Sequence, residues 1–318
     1  MSWLIGIDEA GYGPNLGPLV VSSVAVRVSD PSTSLGDVLR PVVRRACEDE
    51  DDRLLLDDSK QVYVGPNGLA KLERGVLPVV ASDRPERLTI GEYLNRLGAG
   101  ASRDDLKCEP WYEPDELLPV AIEPDEWGAF AERLTQACGC AGVAWGPARS
   151  VVVPTPRFNG LLERWQVKSA VEAEAIITLM REARGLPGSA PLHFAIDRLG
   201  GRIYYAGLIQ TAFPDGWVMA HDEKADCCRY SILGLEREIH LCFEPRADGS
   251  HLPVAVASMA CKYLREVCMR QFNRFWQGRV PDLEPTAGYP GDADRFFRAI
   301  RPAMREMGIA RDQVWRRK

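Results

Sequence analysis

The sequence predicts an α/β fold, a sheet flanked by helices, and three observations carry that prediction. Short apolar runs bounded by turn residues read as buried strands: Trp3 to Ile7, Leu19 to Val26 and Leu192 to Ile196. Two of these runs end in carboxylates, Asp8-Glu9 and Asp197, and ligands gather at the carboxyl ends of strands in α/β units. Between the strands lie stretches with apolar residues at helical spacing, above all Val167 to Arg184 and Pro253 to Trp276.

In order along the chain, the first strand closes on Asp8-Glu9, and a turn with Gly11, Gly13 and Gly17 leads into the second. A buried acidic pair needs a partner or a metal, because an isolated charge is costly to desolvate. Glycines let a ligand come close, since no Cβ stands in the way. Taken alone, Asp-Glu also fits the start of an ordinary hairpin turn. Val38 to Cys47 has helical spacing (Val38, Leu39, Val42, Val43, Ala46), and the acidic run Glu48 to Asp52 after it reads as a solvated face. Leu54 to Leu56 then leads into Asp57-Asp58-Ser59-Lys60.

Residues 64–150 are rich in Pro and Gly and mix charges with Trp111, Tyr112, Trp127 and Trp145. Within them, Pro124 to Cys138 predicts a helix with proline in its first turn and Trp127, Phe130, Leu134 and Ala137 on one face. Val151 to Val153 is strand-like. The helix over Val167 to Arg184 carries a stripe through Val167, Ala170, Val171, Glu174, Ile177, Thr178 and Met180, and Gly185, Pro187 and Gly188 stop it. Ile203 to Phe243 reads as strand-rich, with a turn at Pro214-Asp215-Gly216. Pro253 to Trp276 is the longest helix, with Val256, Met259, Ala260, Tyr263, Leu264, Val267, Cys268, Gln271 and Phe275 on its core face. A last helix over Asp292 to Met307 is expected to break or kink near Pro302.

A length of 318 residues suits one large domain or two ordinary ones, and 46% apolar residues can bury a sizeable core. A net charge of −6 and a pI near 5.5 argue against a non-specific nucleic-acid coat protein, which would be basic. They leave room for a nuclease, whose carboxylates are offset by bound metal. Nine cysteines occur, an odd count with no C-x-x-C pair. Cys138-x-Cys140 and Cys227-Cys228 lack the second half of a zinc template, so reduced thiols are expected. With no secretory leader evident, a cytoplasmic location is expected. No stretch reaches the ~18 apolar residues of a membrane span.

The run Asp8-Glu9-Ala10-Gly11-x-Gly13-x-x-x-Gly17-Pro18 before a Val-rich strand resembles the opening motif of the type 2 ribonucleases H. Four further places are similar to that family: Asp58-Ser59-Lys60; the strand end Ala195-Ile196-Asp197; Arg246-Ala247-Asp248 followed by Ser258, Lys262 and Arg265-Glu266; and Gly288-Tyr289-Pro290. The resemblance covers about residues 1–63, 150–205 and 244–300. It implies a ribonuclease H-like mixed sheet flanked by helices, one domain over residues 1–318, with insertions at about 64–150 and 206–243. Asp226, in Lys224-Ala225-Asp226, is a rival to Asp248 because it has the same basic-small-Asp form, though no matching helix follows it.

The activity so implied is endonucleolytic hydrolysis of the RNA strand of an RNA–DNA hybrid or ribonucleotide-containing duplex, leaving 5′-phosphates. Asp8, Glu9, Asp197 and Asp248 would be the catalytic metal ligands. Phosphodiester hydrolysis by two divalent ions needs a cage of hard oxygen ligands, and Mg²⁺ or Mn²⁺ suits it without His or Cys. The resemblance places substrate contacts at Gly11, Tyr12, Gly13, Ser59, Lys60, Lys262 and Tyr289, with Arg265 a further basic candidate. Tyr12 departs from the family, which carries a basic residue there; a tyrosine makes no charge-assisted phosphate contact. Discrimination must read a 2′-hydroxyl, the group that separates RNA from DNA. A monomer with no membrane partner is expected. The rival readings are a nuclease on another structured nucleic acid, a non-catalytic binding protein on this scaffold, and a metal-dependent phosphatase on small molecules, for which nothing in the sequence resembles a nucleotide pocket.

Overall fold

Both carboxylate-bearing runs form strands, and they lie side by side. The computed structural model describes residues 1–81 and 87–317. Its main sheet holds β1 (Ser2–Ala10), β2 (Leu19–Val28), β3 (Ala144–Val153), β4 (Leu192–Asp197), β5 (Trp217–Glu223), β6 (Cys228–Leu233) and β7 (Ile239–Glu244). Their order is β3-β2-β1-β4-β7-β6-β5. Strands β1, β4 and β7 run parallel in the centre, while β2 is antiparallel to both its neighbours and so is β6. The sheet is therefore mixed, as the sequence predicts.

The longer helices are α1 (Gly68–Val80), α2 (Ile90–Arg96), α3 (Gly100–Leu106), α4 (Pro124–Ala141), α5 (Thr155–Trp165), α6 (Lys168–Ala183), α7 (Ala206–Ala212), α8 (Leu252–Gln277) and α9 (Asp292–Glu306). Strand periodicity sorts them onto two faces, because successive side chains point to opposite sides. On β1, Trp3, Ile5 and Ile7 pack among Phe158, Ile176, Leu179 and Met180 of α5 and α6. The other side of β1 and β2 meets α8, which is backed by α1, and α4 packs on α1 in turn. Helix α8 is thus sandwiched, and every residue from Leu252 to Cys261 is buried. It crosses β1 at Gly6, where an added Cβ would lie 2.2 Å from Pro253 C and Val254 N. A third cluster, with Leu16, Trp111, Phe272, Trp276, Phe296 and Ile300, seats α9 beside the glycine turn.

Four sequence expectations are corrected. Residues 38–47 do not form a helix; one turn, Leu35–Val38, is followed by a two-residue strand, Val43–Arg44, that pairs with Leu54–Leu55. Pro41 explains this, since proline disfavours helix at the residue before it and removes an N–H within it, and the β-branched pair Val42-Val43 suits a strand. Residues 206–212, read as strand-rich, are helix α7. Helix α9 runs unbroken through Pro302, so the expected break there, one of two alternatives with a kink, does not occur. The buried face of α6 runs through Val171, Glu172, Ala175, Ile176, Leu179, Met180 and Ala183, which keeps Val171 and Met180 of the expected stripe, while Glu174, Ile177 and Thr178 are only partly buried and Val167 is exposed.

The two segments expected as insertions join the main sheet. Residues 64–150 supply α1 to α4 and most of edge strand β3, with 82–86 lying outside the described residues. Residues 206–243 supply α7, β5, β6 and most of the central strand β7. All nine cysteines are unpaired. Among the described residues, no helix is long and apolar enough to cross a membrane.

Candidate active site

Parallel pairing sets Ile7 beside Ile196 and Asp197 beside Glu244, so the carboxyl ends of β1, β4 and β7 form one rim. Asp8, Glu9 and Asp197 converge there, each offering an oxygen within 4.8 Å of the others. Asp8 is buried and its Oδ1 accepts the Glu9 N–H at 2.8 Å. Its backbone carbonyl accepts the Cys261 thiol at 3.1 Å, which ties the strand end to α8. Asp197 Oδ1 accepts the Ala247 N–H at 3.1 Å, linking β4 to the short turn Ala247–Ser250 that carries Asp248.

Asp248 is buried to the side of this trio rather than inside it. It faces Asp197 and Asp58, and its Oδ1 accepts the Gly249 N–H at 2.9 Å. Asp58 caps the turn Ser59–Val62 by accepting the Lys60 N–H at 2.9 Å. The side chain of Lys60, exposed at the rim, brings positive charge toward Asp58, Asp8, Asp248 and Asp197. Ser59 is buried, and Ser258 Oγ of α8 lies 3.0 Å from its hydroxyl. Asp226 is exposed, in the turn that precedes β6.

The glycine turn is held rigidly from behind. Gly11 has φ +88°, and a Cβ there would meet Pro18 O at 2.5 Å and the Arg265 side chain. Arg265 is buried, and its Nη2 donates to Leu16 O at 3.3 Å and to Ala287 O at 2.8 Å. That makes Arg265 a clamp on the turn, so the expectation of a phosphate contact from it is corrected: its charge is buried against backbone carbonyls. The C-terminal tail adds a second clamp, with the buried Arg316 bonded to Pro14 O and its N–H to Asn15 O. On the outer side, Gly13 is exposed and Tyr289, half-exposed, stands near it. Lys262 Nζ lies 2.7 Å from Glu266 Oε1 and over the Tyr63 ring at 4.3 Å. Tyr12 is half-buried with Lys168 Nζ 4.6 Å above its ring, which brings a cation from α6 to the turn position that lacks one.

Glu172, on α6, belongs to the same acidic group and is absent from the sequence-derived candidates. It is buried, in phase with Ile176, Leu179 and Ala183, and that i, i+4, i+7, i+11 pattern was the available signal. Burial first, then the neighbouring Asp8, pushes its carboxyl up to about 7. Glu9 is pushed up to about 7 by burial and then by Glu172. Burial, Glu9 and Asp197 raise Asp8 well above the carboxylate range. Burial, then Asp58 and Asp197, lifts Asp248 to about 6. The site is thus an excess of buried negative charge that a cation would relieve.

This crowding sets a pH dependence. A carboxyl whose folded pKa is raised costs nothing below its unfolded pKa, and its penalty grows as pH climbs to the folded value. For Glu9 and Glu172 the window runs from about 4.3, the ordinary value, to about 7. Glu109, buried elsewhere against Trp111 Nε1 and the Thr155 N–H, is likewise pushed up to about 7. Thermal unfolding in a chelator should therefore drop by at least about 5 °C between about pH 5 and about pH 8. Adding Mg²⁺ at the higher pH should recover the share from the rim carboxylates but not the share from Glu109. A melting temperature indifferent to Mg²⁺ at both pH values would count against cation binding.

The fold is ribonuclease H-like: a mixed sheet flanked by helices, with carboxylates at the ends of adjacent parallel strands. No protein-family model matches the chain, and no characterised protein matches it by sequence. Among solved structures it is similar to ribonuclease H2 from Pyrococcus horikoshii OT3, at 14% identity and TM-score 0.45 over 98% of this chain and 92% of that one. It is similar to RNase HII of Archaeoglobus fulgidus, solved with PCNA, at 14% identity and TM-score 0.41 over 98% and 92%. Bst-RNase HIII in complex with Mn²⁺ overlaps at 15% identity and TM-score 0.39 over 99% and 66%. The fold assignment rests on the chain's own strand order rather than on these overlaps.

Proposed function

We propose that the chain is a metal-dependent endonuclease that hydrolyses the RNA strand of RNA–DNA hybrids, leaving 3′-hydroxyl and 5′-phosphate ends. The observation that supports this most is the convergence of Asp8, Glu9 and Asp197 within 4.8 Å at a buried strand rim. Three carboxylates so close are self-repelling without a cation. An all-oxygen set of this kind fits Mg²⁺ or Mn²⁺ and gives no role to a soft ligand. Asp8, Glu9, Asp197 and Asp248 would hold two such ions, which supply an activated water and stabilise the leaving oxygen.

The chain's own residues do the rest. The clamped turn carries Gly11, Tyr12 and Gly13, and its exposed Gly13 lies beside Tyr289, where a ribose can be read through its 2′-hydroxyl. Lys60 stands beside the carboxylates as a phosphate contact, and Lys262, held on α8 by Glu266, is a second. Ser59 and Ser258 brace one another beneath that contact. Residues 1–318 are read as a single domain enlarged at about 64–150 and 206–243.

The test is a cleavage assay on a hybrid duplex, a DNA duplex with one ribonucleotide, double-stranded RNA and DNA, each with chelator, Mg²⁺ or Mn²⁺. Hybrid cleavage is expected, absent in chelator and restored by either ion. Cleavage confined to structured RNA would replace the substrate assignment. Hybrid binding without cleavage under any metal would make this a binding protein.

A further inference from the structure

The hairpin β6–β7 gathers a second set of metal-ligating side chains, chemically unlike the first. We infer that Cys227, Cys242 and Glu244 form a zinc site. Each of the three offers a ligand atom within 4.8 Å of the other two. The two sulfurs are 3.3 Å apart, and Cys242 Sγ is 3.8 Å from Glu244 Oε2. Tetrahedral zinc with Zn–S bonds of ~2.3 Å holds its sulfurs about 3.8 Å apart, so small side-chain rotations open the pair to a metal. No zinc template exists in the linear sequence. The site is made by antiparallel pairing, which sets Cys228 opposite Phe243 and so carries Cys227 across to the side chains of β7.

Three further features fit the assignment. Glu244 divides its oxygens: Oε2 faces the thiol, while Oε1 lies 2.8 Å from His251 Nε2. His251 therefore orients the ligating carboxylate from outside, as outer partners of metal ligands do. Two thiolates and a carboxylate around Zn²⁺ carry one net negative charge, and Arg229, in register with Cys242 and itself bonded to Asp222, extends its field to both thiols. All three ligands are partly exposed, which leaves an entry path and a fourth position open to water. Soft sulfur selects zinc over Mg²⁺ or Mn²⁺, and the hard carboxylate disfavours Cu(I).

Binding displaces the two thiol protons into solvent and leaves a Zn²⁺–thiolate pair. Because Glu244 pairs with Asp197 and precedes the turn carrying Asp248, the site would anchor the β7 end of the acidic rim. The inference does not depend on the hydrolytic reading, since the two ligand sets share no residue.

Cobalt is the probe. The full chain is stripped of metal under a reductant and titrated with Co²⁺. One equivalent should produce the near-ultraviolet charge-transfer absorption of cobalt–thiolate bonds, and Zn²⁺ should abolish it. Cys242→Ser should lose the band, and Glu244→Gln should weaken Zn²⁺ binding at least about tenfold. Asp8→Asn should keep the band, because carboxylate-bound cobalt does not produce it. Absence of the band in the reduced wild-type chain would overturn the site, and that outcome needs no variant to fold. So would a Cys227–Cys242 disulfide, seen as a mass lower by a pair of hydrogens, that persists under the reductant.

Discussion

Asp8→Asn is expected to lower hybrid cleavage by at least about a thousandfold while making the metal-free protein more stable. The two effects share one cause. Asp8 is buried and faces Glu9 and Asp197, so its charge is costly in the absence of a cation and useful in its presence. Asparagine keeps the shape but removes a metal ligand, and a loss of about 4 kcal/mol of transition-state stabilisation is about a thousandfold in rate. Removing the charge also removes its repulsion with two neighbours, so the melting temperature in chelator at about pH 8 should rise. Cleavage kinetics and calorimetry on the same preparation test both halves. Lost activity with a lower melting temperature would show that Asp8 serves the fold rather than the chemistry. The companion pair is Asp248→Asn, expected to be inactive, and Asp226→Asn, expected to be near wild type because Asp226 is exposed in the turn before β6.

The rim was legible because its signals are local. Asp8-Glu9 and Asp197 each end an apolar run, and a strand of known length places its last residue at a sheet end. Glu172 was harder, because helical phase is ambiguous by one residue when both candidate stripes contain a glutamate. Val171 lies in both, and only burial separates Glu172 from Glu174. The three-residue zinc set was not legible at all. Cys227 and Cys242 are brought together by hairpin register, which spacing in the sequence does not encode. Arg265 shows the reverse problem: a basic residue next to a motif reads as surface charge or a phosphate contact, yet this one is buried and spent on holding the carbonyls of Leu16 and Ala287.

Among the elements, long amphipathic segments were the readable ones. Helices α4, α6 and α8 begin and end within a few residues of their predicted limits, since each is a long segment with apolar residues at helical spacing and a proline or glycine near an end. The segment Val38 to Cys47 failed because its spacing competed with Pro41 and two β-branched residues, and the pairing of Val43–Arg44 with Leu54–Leu55 decided the outcome. The strand order was not readable. Nothing local says that β7, about forty residues after β4, inserts directly beside it and ahead of β6 and β5.

Gly6→Ala should destabilise the protein by about 3 kcal/mol or more, toward the upper end of overpacking costs. The reason is the crossing of α8 over β1. A Cβ on residue 6 would sit 2.2 Å from Pro253 C and Val254 N, and these are backbone atoms at the start of a helix buried from Leu252 to Cys261. No side chain can rotate away to make room; either the strand or the helix must move. Gly13→Ala is the control, because its added Cβ would come no nearer than 3.8 Å to Tyr289, an ordinary contact. Urea unfolding followed by circular dichroism compares the two variants. The displacement would reach the rim as well, since α8 carries Ser258 and Cys261 against Asp8 and follows the turn that holds Asp248. Gly6→Ala should therefore lose activity even where enough of it remains folded to assay. A Gly6→Ala midpoint equal to that of Gly13→Ala would show that α8 does not press on β1 at this point, and the close crossing would have to be abandoned.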